Sequence, residues 1–425
     1  MMVRKYFILL IFLIECSFMV FAKPVIRASI TKSFKQRVVV AYPFTYGTEA
    51  KIKELDAIIR KDLKLSGLVS MISTQNKIDQ LALKESVLET DYQAWQRFGP
   101  EFLVKVELGK KLGVLSVRYA IFNCYDKKMI VKKKMSIPKK RFRETVHSIS
   151  DQILLKITGK KGLGSSRIAF VSDKRGMKTI YSSDIHGEGV IQLVFDKAMV
   201  ISPDWGPDRE SILYTSYRNV NPVIFIKYFN DNHFESVASY PGLNANGKIN
   251  NRNEVVFTAS KDGNPEVYKK NILTGKANRL TRRYGVDANA CWSPDGEKIA
   301  FVSSGTGATH IFLMDRNGEN SHRLTRGSSY NTAPSFSFDG RYLAFCTRIR
   351  GHLNLALYDF STNQTELIVS RMKDAEAPNW SPNSHHIAFA SNKRGKYDIY
   401  IIDIETKEIT RVTKGIGNCT NPSWK

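Results

Sequence analysis

A chain of 425 residues is longer than one hydrophobic core usually supports, about 250–300 residues, so two domains are expected. Hydrophobic content of 42% and charged content of 24% are those of a folded soluble protein. The net charge of +24 favours anionic neighbours, but the basic residues are spread along the chain without zinc-finger spacing or a ribonucleoprotein motif, so nucleic acid is not an expected partner.

The first 22 residues read as a secretory leader. Arg4 and Lys5 precede an apolar run over 6–14, and Val20 and Ala22 supply the small residues of a cleavage site after Ala22. The run is too short to span a bilayer, and Glu15 before Cys16 argues against lipid attachment. A periplasmic protein follows, touching membranes only through its partners. Residues 23–158 read as a mixed α/β domain. Arg37-Val38-Val39-Val40-Ala41 is a buried strand, and Ile52, Leu55, Ile58, Ile59 and Leu63 fall at helical spacing before Gly67. Strands are expected over 102–108, 114–122 and 129–137. A second amphipathic helix carries Phe142, Val146, Ile149, Ile153 and Ile157 and stops at Gly159. The basic stretch 127–143 reads as a sheet edge guarded by lysine rather than as a specific anion site.

After a linker at 159–166 the chain repeats. Ile168-Ala169-Phe170, Ile212-Leu213-Tyr214, Val255-Val256-Phe257, Ile299-Ala300-Phe301, Leu343-Ala344-Phe345 and Ile387-Ala388-Phe389 begin 44, 43, 44, 44 and 44 residues apart. Each triplet leads into two further short apolar segments. Before it stands a segment ending in an aromatic, at Trp205, Trp292, Phe336 and Trp380, followed by turns such as Ser293-Pro294-Asp295-Gly296. Four short strands per 40–45 residues are the signature of a propeller blade, so 167–425 reads as a six-bladed all-β propeller. No such aromatic segment precedes Ile168; Asn421-Pro422-Ser423-Trp424 supplies it, which predicts ring closure by the C-terminal strand.

Enzymatic machinery is not legible. There is no G-x-S-x-G elbow, no H-E-x-x-H and no P-loop, and neither a cofactor nor a metal is expected. Cys124, Cys291, Cys346 and Cys419 show no paired framework; Cys291 and Cys346 read as buried fillers. His385-His386 sits on a blade hairpin, and Asp184, Asp315, Asp359 and Asp403 recur as turn caps. The loops entering each blade's first strand carry Asn244, Asn246, Asp287, Asn289, Asn331, Asp374, Glu376, Asn418 and Asn421. Polar groups at these repeated positions converge on one rim of the channel and make it the expected partner-binding face, although Asn and Asp also simply shape turns.

An aromatic followed by Ser-Pro-Asp-Gly and then Ile-Ala-Phe resembles the propeller of the TolB family of the periplasmic Tol–Pal system. Asp62-Leu63 with Ser66-Gly67, Ala94-Trp95 with Gly99, and Thr158-Gly159 leading to Arg167-Ile168-Ala169 resemble the family's N-terminal half and domain junction. The resemblance implies a scaffold that binds a Pal-like outer-membrane lipoprotein through the propeller and a TolA-like inner-membrane protein through its N-terminal region, supporting envelope integrity and cell division. In the mature N-terminal segment it places partner binding on Lys23, Pro24, Val25, Ile26 and Arg27, a basic stretch where the family is commonly more acidic. The alternatives are an exported ligand-binding propeller and a peptidase-type propeller, the latter needing a hydrolase domain.

Overall fold

A computed structural model describes residues 37–47, 50–72 and 76–425. The leader and the segment holding Lys23, Pro24, Val25, Ile26 and Arg27 lie outside the described residues. Residues 38–425 form one compact unit.

The N-terminal part is a twisted sheet. Its strands are β1 (Val38–Ala41), β2 (Thr45–Tyr46), β3 (Val69–Met71), β4 (Phe102–Lys111), β5 (Val114–Asn123) and β6 (Lys128–Ile137), in the order β3-β1-β4-β5-β6 with β2 also on β4. β1 runs parallel to β3 and β4, whereas β4, β5 and β6 form an antiparallel meander. Helices α1 (Ile52–Leu65) and α4 (Phe142–Thr158) cover one face, burying Leu55, Ile59, Val146, Ile149 and Ile153 at the i, i+3 and i, i+4 spacings that made them legible in sequence. Gly159 ends α4 in the left-handed conformation, φ +70°, as a helix-terminating glycine does. Two short helices that sequence periodicity missed, α2 (Asn76–Leu83) and α3 (Tyr92–Gln96), cover the other face around Trp95. Buried Lys105 ties them down by donating to the Glu85 carboxylate and the Glu89 carbonyl.

Residues from Ile168 onward form six four-stranded antiparallel sheets. The apolar triplets are the second strand of every blade, buried on both faces between neighbouring sheets. Strand Cys419–Trp424 pairs with Ile168–Ser172 and is the innermost strand of the first blade, as the missing aromatic segment had implied.

Each innermost strand carries a register shift at its third and fourth residues. The third residue is left-handed in all six: Ser202, Asn246, Asn289, Ala333, Ala377 and Asn421 have φ between +49° and +55°. Asparagine tolerates this conformation better than other side chains, and the bulge turns the strand end toward the channel. At the other end the terminal aromatics stitch blade to blade. The indoles of Trp205, Trp292 and Trp380 donate to the carbonyls of Ser423, Lys248 and Ser335 on preceding innermost strands, at 3.0–3.1 Å. The position recurs as an aromatic because it fills the inter-blade core, and where it is tryptophan it also supplies a donor.

Candidate partner-binding site and domain junction

The nine rim residues expected from sequence divide into two groups. Asp374 and Asn418 lie in the loops before their strands; the other seven occupy the first three positions of the innermost strands. Asn244, Asp287 and Asn331 stand first in their strands and are buried. The Asn244 amide donates to the carbonyls of Tyr240 and Pro222 at 2.7 and 3.0 Å, and that of Asn331 to the Ser328 carbonyl at 3.0 Å. The two loop residues are clamped as well. Asp173 accepts both the backbone and the side-chain N–H of Asn418 at 2.7 and 2.8 Å, and Asp374 accepts the amide of Leu353 while its own N–H donates to Asn392. These four groups shape the loops and strand starts.

Asp287 is the odd member. Neither carboxylate oxygen has a hydrogen-bond partner, and burial raises its pKa, only partly opposed by the nearby Ser303 and Thr281 hydroxyls. A carboxyl raised in this way destabilises the fold once pH exceeds its unfolded value, because the unpaired anion is disfavoured inside. Asp287→Asn restores the donor that Asn244 and Asn331 provide. It is expected to stabilise the chain by roughly 1–2 kcal/mol at neutral pH and by much less near pH about 3, measured by denaturant unfolding at the two pH values.

The remaining groups face the channel. Ser202 donates to Asn246 at 2.9 Å, the Asn246 amide donates to Asn289, and that of Asn289 donates to Thr332 at 3.3 Å. A chain of side-chain hydrogen bonds thus crosses four consecutive blades, presenting half-buried polar groups on a rigid rim. Across the same mouth, Asp173, Lys178, Glu376, Tyr397, Asn418 and Asn421 line a cavity of about 380 Å³. Burial and a hydrogen bond to Glu376 push the Tyr397 phenol well above its ordinary range. The opposite mouth holds a more aromatic cavity of about 250 Å³, among Trp205, Lys248, Trp292, Phe338, Trp380 and Trp424.

A second polar centre, which the sequence did not single out, joins the two parts of the chain. Asp62 on α1 meets His147 on α4 at 2.8 Å and His186 on the first blade at 2.7 Å. The other nitrogen of His147 lies 3.2 Å from Asp184, which also accepts from Arg143 at 2.7 Å. Asp184 caps its own turn too, accepting from the amides of His186 and Glu188. Gly164 passes so close that a Cβ there would sit 2.9 Å from Asp62. The sequence traces of this centre were Asp184, read as a turn cap, and Asp62, noted only within the stretch that carries the family resemblance; His147 lies within the helical repeat of α4 without matching its apolar pattern.

Both ring nitrogens of His147 face carboxylates, so the ring bonds both only as the imidazolium. Burial pulls its pKa down, but the hydrogen bonds to Asp184 and Asp62 prevail and raise it to about 9. Burial would likewise raise the two aspartates, yet their bonds from His147 hold both below the usual carboxylate range. Donor atoms of Asp62, His147 and His186 all lie within 4.8 Å of one another, a grouping that could take a cation. The short nitrogen-to-carboxylate distances and the balance of two anions against His147 and Arg143 make it a charge-paired interlock instead. Elsewhere, the described cysteines are all buried and unpaired. No described helix is long and apolar enough to cross a membrane.

Comparison with known proteins places this architecture. Residues 154–376 match the TolB beta propeller domain and residues 26–130 the TolB amino-terminal domain; 337–421 also match the dipeptidyl peptidase IV N-terminal region. A Protein TolB homolog of Chlorobium luteolum is 26% identical over 285 residues, 65% of this chain and 64% of that protein. The Tol-Pal system protein TolB of Pseudomonas syringae pv. tomato is 27% identical over 212 residues, 48% of each chain. The alignments therefore span less than two thirds of these relatives. The crystal structure of TolB from Acinetobacter baumannii superposes with a TM-score of 0.80 at 24% identity, over 92% of this chain and 96% of that one, a likeness of fold.

Proposed function

The chain belongs to the TolB family, and on that footing we propose that it is an exported, non-catalytic scaffold of a Tol–Pal envelope system. In this reading it acts in the periplasm, binds a Pal-like outer-membrane lipoprotein at the channel mouth and engages a TolA-like inner-membrane protein through residues 23–27. It thereby links the two membranes during division. The observation that carries the propeller half is the hydrogen-bonded run from Ser202 through Asn246 and Asn289 to Thr332, fixed on a closed ring. Amide groups held in place this way offer donors and acceptors to a partner backbone without paying ordering entropy on binding. The dipeptidyl peptidase IV match, residues 337–421, falls within the propeller.

The test exploits the backbone at the bulges. Asn246→Gly with Asn289→Gly keeps the left-handed conformation, at φ +55° and +50°, while deleting both amides. With Glu376→Lys added, affinity for the purified Pal-like lipoprotein is expected to fall about tenfold or more while the melting profile stays cooperative. Unchanged affinity in a folded variant would remove this mouth as the docking face.

A further inference from the structure

The N-terminal sheet ends on a basic edge strand, with Lys128 at its start and Lys132, Lys133 and Lys134 in its middle. β6 is an edge strand, and residues 127–141 hold eight Lys and Arg without one acid. Lys128, Lys132, Lys133, Lys134, Lys139 and Lys140 are exposed. Lysines that merely guard an edge against strand pairing would look the same, and the sequence reads so. The hairpin beside them does not fit a guard. β4 and β5 meet at a tip where Leu112 is 95% exposed and Val114 52%, directly after Lys110 and Lys111. Leu115 pairs with Ile137, so this tip projects at the end of β6 from which Lys139, Lys140 and Arg141 continue. Leu112 also holds φ +50°, a conformation in which leucine gains nothing locally and asparagine or glycine would be easier.

The geometry points to an anionic lipid bilayer as the partner of this edge, with the ammonium groups on headgroup phosphates and Leu112 entering the headgroup boundary. The ten residues of β6 span about 33 Å and carry Lys128, Lys132 and Lys134, with Lys139 and Lys140 just beyond, so positive charge recurs along one sheet edge facing a flat anionic surface. Lysine rows with a protruding apolar side chain are how peripheral proteins combine attraction and insertion. An acidic protein adding a strand to β6 would use the same charges but has no need of Leu112, which lies beyond the strand's end. The inference does not rest on the Tol–Pal reading, because lipid vesicles contain no protein partner.

The experiment is co-sedimentation of the full chain with vesicles of phosphatidylcholine, with and without phosphatidylglycerol. Binding is expected only to the anionic vesicles and should weaken as salt rises. Lys132→Glu, Lys134→Glu and Lys139→Glu together are expected to lower partition about a hundredfold, with circular dichroism unchanged. Leu112→Asn suits the left-handed backbone and should lower partition several-fold at constant charge. No partition of the wild-type chain onto anionic vesicles, or equal partition of a folded triple variant, overturns the assignment. Equal partition of the Leu112→Asn chain also overturns it, by reducing the edge to a general polyanion surface.

Discussion

Deleting residues 420–425 is expected to lower the thermal midpoint by more than about 15 °C or to abolish the cooperative transition. These residues are most of the innermost strand of the first blade, paired with Ile168–Ser172. Trp424 is 2% exposed, and its indole donates to Ser166 at 2.8 Å while its amide donates to Asn379 at 2.7 Å. Ser423 receives the backbone and indole N–H groups of Trp205, and Lys425 exchanges two backbone hydrogen bonds with Arg167. Losing a buried Trp costs roughly 3–5 kcal/mol, and each polar group left unsatisfied adds roughly 1–3 kcal/mol. The sum rivals the 5–15 kcal/mol by which folded domains are typically stable. Trp424→Ala alone should show the first contribution without the second. Scanning calorimetry of the three chains checks this, and a truncated chain that melts like the intact one would refute closure by this strand.

His147→Ala is expected to remove roughly 3–5 kcal/mol, because it takes the shared cation from buried Asp62 and Asp184 and leaves them Arg143, the His186 ring and the amides of His186 and Glu188. The pH profile distinguishes this from a packing loss. His147 has a folded pKa raised to about 9, so its contribution is fully present below the ordinary imidazole value near 6.5 and is lost as pH rises toward 9. Asp62 and Asp184 are held low, so their contribution is present above the ordinary carboxylate value and disappears only as pH falls below it. These are the same contacts seen from both partners and count once. Between about pH 6 and about pH 9.5 the wild-type chain should lose roughly 3 kcal/mol of unfolding free energy through this centre, a loss the His147→Ala chain should not share. Parallel pH profiles for the two chains would show that His147 is not charged in the folded protein.

The candidate rim was legible as positions rather than as roles. The repeat identified where each innermost strand begins, but Asn244 and Asn289 look alike in sequence although one is buried and bonded to main chain and the other faces the channel. The difference is two residues along a strand and the bulge that the third residue occupies, and bulges are not encoded by residue type alone. The short helices α2 and α3 escaped because segments of eight and five residues carry too few turns for a helical period to emerge.

The ring follows from the chain's repeat: the constant spacing, the triplet that is buried on both faces and the recurring aromatic leave a six-bladed propeller as the arrangement that buries every apolar segment. The repeat also determined the closure, because a four-strand repeat with one strand missing at its start and one left over at its end can be completed only by joining them. The junction, by contrast, exists only through packing. Asp62, His147, Asp184 and His186 are separated by up to 124 residues, and each in isolation is an ordinary helical or turn residue. Their charges acquire partners, shifted pKa values and a role in fixing the two parts together only when α1, α4 and the first blade meet, since proximity across sheets is set by packing and leaves no periodic trace in the chain.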